Sequence, residues 1–190
     1  MDIFSLFTDT FKKIAAKGPK VNAEERERIR QVVGELGDTL SDSLLLTIIY
    51  LSHARHARDT EFAEHLAHGR DRLRESFREF KICGGLYNLR DRFGQIFSPT
   101  KYAVDMDRMK EIEYLIRDLA HGERTVIDFL GDLTDWMSTE AEALSKVAVG
   151  TDDWNQRRKT AVMAIDGHIE HLRKKQKDLV RDVRHIIDRM

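Results

Sequence analysis

The sequence predicts an all-α protein: an antiparallel up-down four-helix bundle of long helices, with a short amphipathic helix at its N-terminus. Hydrophobic residues make up 41% of the 190-residue chain and charged residues 34%, a balance typical of long helices with wide solvated faces. The chain has only 2 prolines and 11 glycines, the residues that most often interrupt helices. Apolar residues recur every three or four positions along most of the chain, as they do on one face of a helix.

The first predicted element is a short helix over residues 2–17, which is followed by Gly18-Pro19. The residue before a proline avoids helical backbone, and glycine often terminates a helix. We therefore divide the chain into an N-terminal amphipathic helix, residues 1–20, and a helical bundle domain, residues 21–190.

The first long helix is predicted to begin at Asn22, because asparagine is a favoured N-cap and acidic residues follow it. The apolar positions of this helix are Ile29, Val33, Leu36, Leu40, Leu44, Ile48 and Leu51. The same period continues onward, so the pattern alone also permits one very long helix over residues 41–80. We prefer a break at residues 57–60, with Asp59-Thr60 as the next cap, because two helices can then fold back on each other.

The remaining boundaries are predicted from glycine, proline and capping residues. Cys83-Gly84-Gly85 indicates an irregularity, and Ser98-Pro99 starts the third long helix, since serine caps well and proline is favoured at the next position. Gly150 and Thr151 end the third helix and start the last. The last helix has a coiled-coil-like seam, spaced alternately by four and three, of Trp154, Arg158, Ala161, Ile165, His168, Leu172, Lys175, Leu179, Val183, Ile186 and Met190.

Composition and charge exclude several classes of protein. The net charge of -1 provides no basic field for a phosphate backbone, so we expect no nucleic-acid partner. The single cysteine, Cys83, cannot form an internal disulfide, which favours a reducing compartment. No stretch approaches the roughly 20 apolar residues of a transmembrane helix, and the N-terminus lacks the basic region of a secretory signal. We expect a cytoplasmic protein, peripheral at a membrane if it binds one.

The strongest candidate for metal chemistry is a cluster of six residues: His53, His56, Glu61, Glu64, His65 and His68. Di-iron bundles use Glu from two helices and Glu-x-x-His from the other two. Most side chains of this cluster are predicted to point away from the apolar seam, and no Glu-x-x-His pair recurs on a second helix. We therefore predict a solvated polar face without metal or cofactor.

No motif of a known catalytic site occurs in the chain. It contains no glycine-rich phosphate loop, no Cys-x-x-Cys pair and no serine nucleophile motif, so we predict no catalytic residues and no enzyme activity.

Two features of the last helix have both a functional and a structural interpretation. His168 on the seam suits a buried ligand or pH sensor, but such a histidine is more often a hydrogen-bonded boundary residue. The basic stretch Arg173-Lys174-Lys175-Gln176-Lys177 suits contact with phosphates, yet acidic residues follow at helical spacing and no aromatic residues are interleaved. We favour the structural interpretation of both.

The N-terminal helix carries the candidate binding residues. They comprise an apolar face and two basic residues on the polar side: Ile3, Phe4, Phe7, Phe11 and Ile14, with Lys12 and Lys13. Such a helix either lies in a membrane interface, lysines near anionic headgroups, or docks on the bundle and completes its core. Docking is the commoner outcome, and the Gly18-Pro19 joint permits both.

Three functional hypotheses follow. The favoured one is a non-enzymatic interaction or adaptor module, whose partner is another protein or a second copy of the chain. The second is a membrane-active effector-type bundle that uses its N-terminal helix on an anionic membrane surface. In plan the chain resembles the HeLo-type cell-death bundles, which implies a four-helix bundle with a membrane-seeking N-terminal segment; the resemblance rests on architecture and residues 2–17. The third is a metal-binding helical bundle.

Overall fold

The computed structural model describes residues 3–17, 22–79, 88, 92, 114 and 130–190. The described part of the chain contains six helices and no strand, which confirms the predicted all-α class. The helices are α1 Ile3–Lys17, α2 Ala23–His56, α3 Asp59–Ala67, α4 Gly69–Glu79, α5 Gly131–Ser145 and α6 Asp152–Arg189. Among the described helices, α2 with 34 residues and α6 with 38 are the longest, and the up-down arrangement of four long helices stays a prediction. The boundaries predicted at Cys83-Gly84-Gly85 and Ser98-Pro99 lie outside the described residues.

Helix α2 begins and ends where the sequence predicted. The Arg26 N–H donates to the Asn22 carbonyl at 3.1 Å, so the first turn starts at Asn22. The helix ends at His56 and α3 begins at Asp59, which confirms a break and excludes a single helix over residues 41–80. The cap predicted at Asp59-Thr60 is wrong, because the N-cap is Arg58, whose extended backbone makes no side-chain capping bond.

A second break, at His68 between α3 and α4, was not predicted. A Cβ atom on Gly69 would lie 2.7 Å from Cε of Met137, closer than real Cβ contacts allow. The missing side chain at Gly69 therefore lets Met137 of α5 reach the backbone at the start of α4. This close approach depends on a residue far away in sequence, so the local helical pattern does not indicate it.

The start of α6 follows the prediction, but the end of the preceding helix does not: α5 ends at Ser145, with Lys146 as its C-cap, and not at Gly150. Gly150 has a φ of 85°, the left-handed conformation that glycine adopts readily, and lies in the turn that leads into α6. Thr151 is the N-cap of α6, and its hydroxyl accepts a hydrogen bond from the Trp154 N–H at 3.3 Å.

Helices α2 and α6 form an antiparallel pair that organises the core. A Cβ on Gly37 would lie 2.6 Å from Cγ2 of Val183, so the helices approach very closely there. Further along, Gln176 Nε2 donates to the Ser41 carbonyl at 3.2 Å, and Arg55 pairs with Asp166 at 2.9 Å. The predicted seam of α6 is buried at Trp154, Ala161, Ile165, Leu172, Leu179, Val183, Ile186 and Met190, and partly exposed at Arg158, His168 and Lys175.

The middle of α2 is buried on most sides although it contains several hydroxyl residues. Ser43 donates to the Thr39 carbonyl at 2.8 Å, and Thr47 donates to the Ser43 carbonyl at 2.9 Å. Each hydroxyl is thus paired within its own helix, which removes the cost of burying it. The buried hydroxyls of Ser43 and Thr47 therefore need no polar partners on neighbouring helices.

Candidate functional site: the docked N-terminal helix

Helix α1 is docked on α6, its main neighbour among the described helices. Its two central aromatic residues, Phe7 and Phe11, are 2% and 0% exposed. They lie one helical turn apart, and their ring centroids are 5.0 Å from each other at a tilt of 57°. Ala15, another turn along, is also buried. The described part of the apolar face, at Phe7, Phe11 and Ala15, is therefore covered by the rest of the protein.

The described charged residues of α1 lie beside its buried face or on its outer side. Lys13 is exposed, as are Asp9 and Ala16, in agreement with the predicted polar face. The Lys12 ammonium forms an ion pair of 2.7 Å with Oδ2 of Asp182 on α6. Their side chains are 41% and 22% exposed, so solvent screens the pair and it contributes about 1 kcal/mol at most. Its main effect is to fix the position of α1 along α6.

Three of the predicted binding residues, Ile3, Phe4 and Ile14, belong to α1, but their side chains lie outside the described residues. The structure thus brings together Phe7, Phe11 and Lys12 at one contact and leaves Lys13 in solvent.

Two threonines in the contact were not indicated by the helical pattern of the sequence. Thr8 and Thr10 are 8% and 1% exposed. On a helical wheel they border the aromatic face on either side, so their burial shows that the bundle covers a wider arc than the apolar residues define. The Thr10 hydroxyl has no hydrogen-bond partner among the described residues. Burying an unpaired hydroxyl costs about 1–3 kcal/mol, which weakens the docking of α1.

The histidine and glutamate cluster has the orientation that the sequence predicted. Its exposed members are His53, His56, Glu61, Glu64 and His68, while His65 is half-buried. Nδ1 of His65 lies 3.1 Å from Nη1 of Arg72, and burial, followed by the Arg72 charge, lowers the pKa of His65. Within the described residues, no three His, Cys, Asp or Glu side chains are grouped so that they could hold a metal ion.

Tyr50 of α2 binds His65, a member of this cluster on α3. Its hydroxyl donates to the His65 carbonyl, and burial raises the pKa of Tyr50 to about 12, so the phenol keeps its proton. The Tyr50 and His65 rings meet edge to face at 6.3 Å. These contacts fasten α3 to α2.

Arg158 interrupts the α6 seam because it binds the turn between α2 and α3. Its Nη2 donates to the Ala57 carbonyl at 2.8 Å, and its Nε lies 3.2 Å from the Asp59 carboxylate in an ion pair. Its guanidinium also lies 5.1 Å from the centroid of the Phe62 ring. The sequence showed the interruption but not the partner, since residue 57 is 101 positions away.

His168, the other histidine of interest, is a boundary residue. Its ring lies 4.8 Å from that of Trp136 on α5, and burial, followed by the charge of His171, lowers its pKa. This packing supports the structural interpretation of His168.

A depression of about 470 Å³ lies at the end of the α2–α6 pair and is lined by Glu27, Arg30, Gln31, Ile187 and Asp188. Two acids flank its one arginine, so its charge does not select one class of ligand.

Compared with protein-family models, with curated proteins and with solved structures, the chain matches none of them. No helix in the described ranges combines the length and apolar character needed to cross a membrane.

Proposed function

We propose that this chain is a non-enzymatic interaction module, and that α1 and the surface of α6 beneath it are its working parts. The make-up of this contact supports the proposal most strongly. Phe7 and Phe11 supply apolar burial, while the unpaired hydroxyl of Thr10 opposes it. A contact of this kind is strong enough to form and weak enough to exchange.

A partner helix would replace α1 on α6 by a known mode of protein recognition, in which an amphipathic helix lays its apolar face into a groove. The surface of α6 beneath α1, which is the proposed acceptor groove, accepts a helix with aromatic residues four positions apart and a cation beside the second. A partner helix with this pattern competes with α1 for the groove. Since α1 occupies the groove in the free protein, the apparent affinity for the partner is reduced by the docked fraction.

A labelled peptide of residues 1–20 tests this proposal. We expect it to bind the full chain weakly, and to bind the Phe11→Ala full chain more tightly because the resident helix is then easier to displace. Fluorescence anisotropy measures both affinities. A peptide in which Phe7 and Phe11 are both serine is the matched control and should bind neither chain. If the unaltered peptide binds neither chain, or if the control peptide binds equally well, the groove is not a helix acceptor.

Association with an anionic membrane is the second candidate, favoured by the cations on α1. Lys12 and Lys13 lie beside and opposite its aromatic face, as in helices that lie in the membrane interface. Because Phe7 and Phe11 are buried when α1 is docked, lipid binding would require its release. Attachment would then be peripheral.

Co-sedimentation with anionic liposomes tests the second candidate. We expect the full chain to bind, and a chain lacking residues 1–20 or carrying Phe7→Glu and Phe11→Glu to remain in solution. Equal sedimentation of all three would contradict a role for α1, and a soluble full chain would contradict membrane association.

A further inference from the structure

A second surface lies on the solvent side of the α2–α6 pair, and we call it the outer face. It consists of two rows of exposed residues, one on each helix. The α2 row is Asp38, Asp42, Leu45 and Ile49, and the α6 row is Arg173, Lys177, Val180 and Arg184.

The two rows run side by side. At 100° per residue, the members of each row fall within an arc of about 60° on their helix. The line of contact between the helices is marked by Gly37 against Val183 and by Ser41 against Gln176. Both rows border this line on its exposed side. Because the helices are antiparallel, Asp38 lies level with the end of the α6 row near Arg184, and Asp42 lies level with Lys177.

The outer face exposes apolar side chains among its charges. Leu45, Ile49 and Val180 are 43%, 42% and 37% exposed. Single exposed apolar residues are common on protein surfaces, but a group on one face more often marks an interaction site. Protein–protein interfaces likewise combine apolar side chains with polar and charged ones.

The charges of the outer face are separated by sign. The α2 row carries two aspartates, and the α6 row carries three cations. Neither aspartate, and none of the cations Arg173, Lys177 and Arg184, forms an ion pair with a described residue. A partner that matches this surface must therefore present a basic row opposite α2 and an acidic row opposite α6. A second copy of the same face does so.

We propose that the outer face binds the outer face of a second copy of this chain, in a dimer with two-fold symmetry. A two-fold axis parallel to the helices places α2 of each copy on α6 of the other. Asp38 and Asp42 of one copy then lie opposite Arg184 and Lys177 of its partner. An axis perpendicular to the helices places the α6 row on the α6 row of the partner, with Arg173 of one copy opposite Arg184 of the other, and is disfavoured by like-charge repulsion. The dimer uses neither α1 nor its groove, so it stands independently of the proposed function.

Charge reversal with rescue tests the dimer. We expect the full chain to show a concentration-dependent monomer–dimer equilibrium in sedimentation velocity. Lys177→Glu and Asp42→Lys should each weaken dimerisation by about 100-fold, because each places like charges opposite one another twice per dimer. The double variant Lys177→Glu with Asp42→Lys should dimerise again, since the pair is restored with its signs exchanged. Added salt should weaken the unaltered dimer.

The matched control is Lys174→Glu, which changes an exposed cation of α6 that lies about 85° away from the row on a helical wheel. It should dimerise like the unaltered chain. Circular dichroism confirms that each variant is folded, which is expected for exposed positions. A full chain that stays monomeric up to high micromolar concentration overturns the proposal. So does a dimer that either single reversal leaves unchanged, or a double variant that does not recover.

Discussion

Helix α6 contacts α2 and α1 in different ways. Against α2 the helices approach closely at Gly37, and polar groups join them, as in the hydrogen bond from Gln176 to Ser41. Against α1 the contact is short and buries two phenyl rings together with the Thr10 hydroxyl, which has no partner among the described residues. We expect the contact with α2 to be permanent, because it is close and hydrogen-bonded, and the contact with α1 to be reversible, because burial of an unpaired hydroxyl opposes it.

Truncation of buried side chains should have the largest effect and should distinguish the contact with α2 from the contact with α1. Leu44→Ala removes a fully buried side chain from α2 and should lower the free energy of unfolding by about 2–5 kcal/mol. Phe11→Ala should instead release α1 and leave most of the stability of the bundle intact. Urea denaturation measures the first effect, and hydrogen exchange of the α1 amides measures the second. Met163→Ala, at a 66% exposed position of α6, is the control and should change neither.

If Phe11→Ala lowers the global stability as much as Leu44→Ala does, α1 unfolds with the bundle and the contrast between the two contacts is wrong.

Addition of a methyl group where α2 and α6 cross should have the next largest effect on the free energy of unfolding. Gly37→Ala places a Cβ 2.6 Å from Val183 and should cost about 1–3 kcal/mol, because a packed interior cannot absorb it without moving. Gly34→Ala is the matched control, since its Cβ would meet Ile187 at an ordinary 3.7 Å. Chemical denaturation of both variants gives the comparison, and equal stability would mean that the helices separate there easily.

Removal of the buried hydroxyl should strengthen the weaker contact. Thr10→Val keeps the shape of the side chain and removes a polar group without a partner, so docking of α1 should gain about 1 kcal/mol. The gain appears as slower hydrogen exchange in α1. Thr139→Val on α5, which loses a hydrogen bond to the Asp135 carbonyl at an exposed site, is the control and should not slow it. Faster hydrogen exchange of α1 in Thr10→Val would show that the Thr10 hydroxyl stabilises the docking of α1.

The ion pair between α1 and α6 should have a smaller effect. Asp182→Asn should weaken docking by about 0.2–1 kcal/mol, because the pair is partly exposed. The loss should diminish as salt is added, since salt already screens the pair in the unaltered chain. Hydrogen exchange of α1 at low and high salt measures this. Asp178→Asn, whose carboxylate pairs with Arg181 on the same helix, is the control. If the loss of docking in Asp182→Asn does not depend on salt, it comes from altered packing and not from the ion pair.

The smallest effect should come from pH, at the contact of α6 with α5. Burial lowers the pKa of His168 from its ordinary value of 6.5, so the folded protein binds the proton less readily than the unfolded chain. The contribution of His168 to stability is therefore fully present above pH 6.5 and is lost as the pH falls through the folded pKa. His168→Phe should remove that part of the pH dependence, as measured by urea midpoints between pH 7 and pH 5. His185→Asn, at an exposed site, is the control.

Features that depend on neighbours in sequence were predicted well. The capping of α6 by Thr151, the break after His56 and the buried seam from Trp154 to Met190 all follow from residues within a few turns of each other. The apolar face of α1 at Phe7 and Phe11 was recognised in the same way.

Features that depend on distant residues were not predictable from the sequence. The break at His68 accompanies the contact of Gly69 with Met137, and the position of Arg158 on the seam is explained by the Ala57 carbonyl. The burial of Thr10 depends on the width of the surface that receives α1. Local periodicity contains no information about such partners.

The ion pair between Lys12 and Asp182 joins residues that are 170 positions apart. On the ribosome, α1 is synthesised well before the part of α6 that receives it. At about 5–20 residues per second, roughly 10–35 seconds separate the two. During that interval the aromatic face of α1 cannot dock, because α6 does not yet exist. Any surface that the nascent helix contacts first is therefore not α6, and α1 must be released from such a contact before it docks.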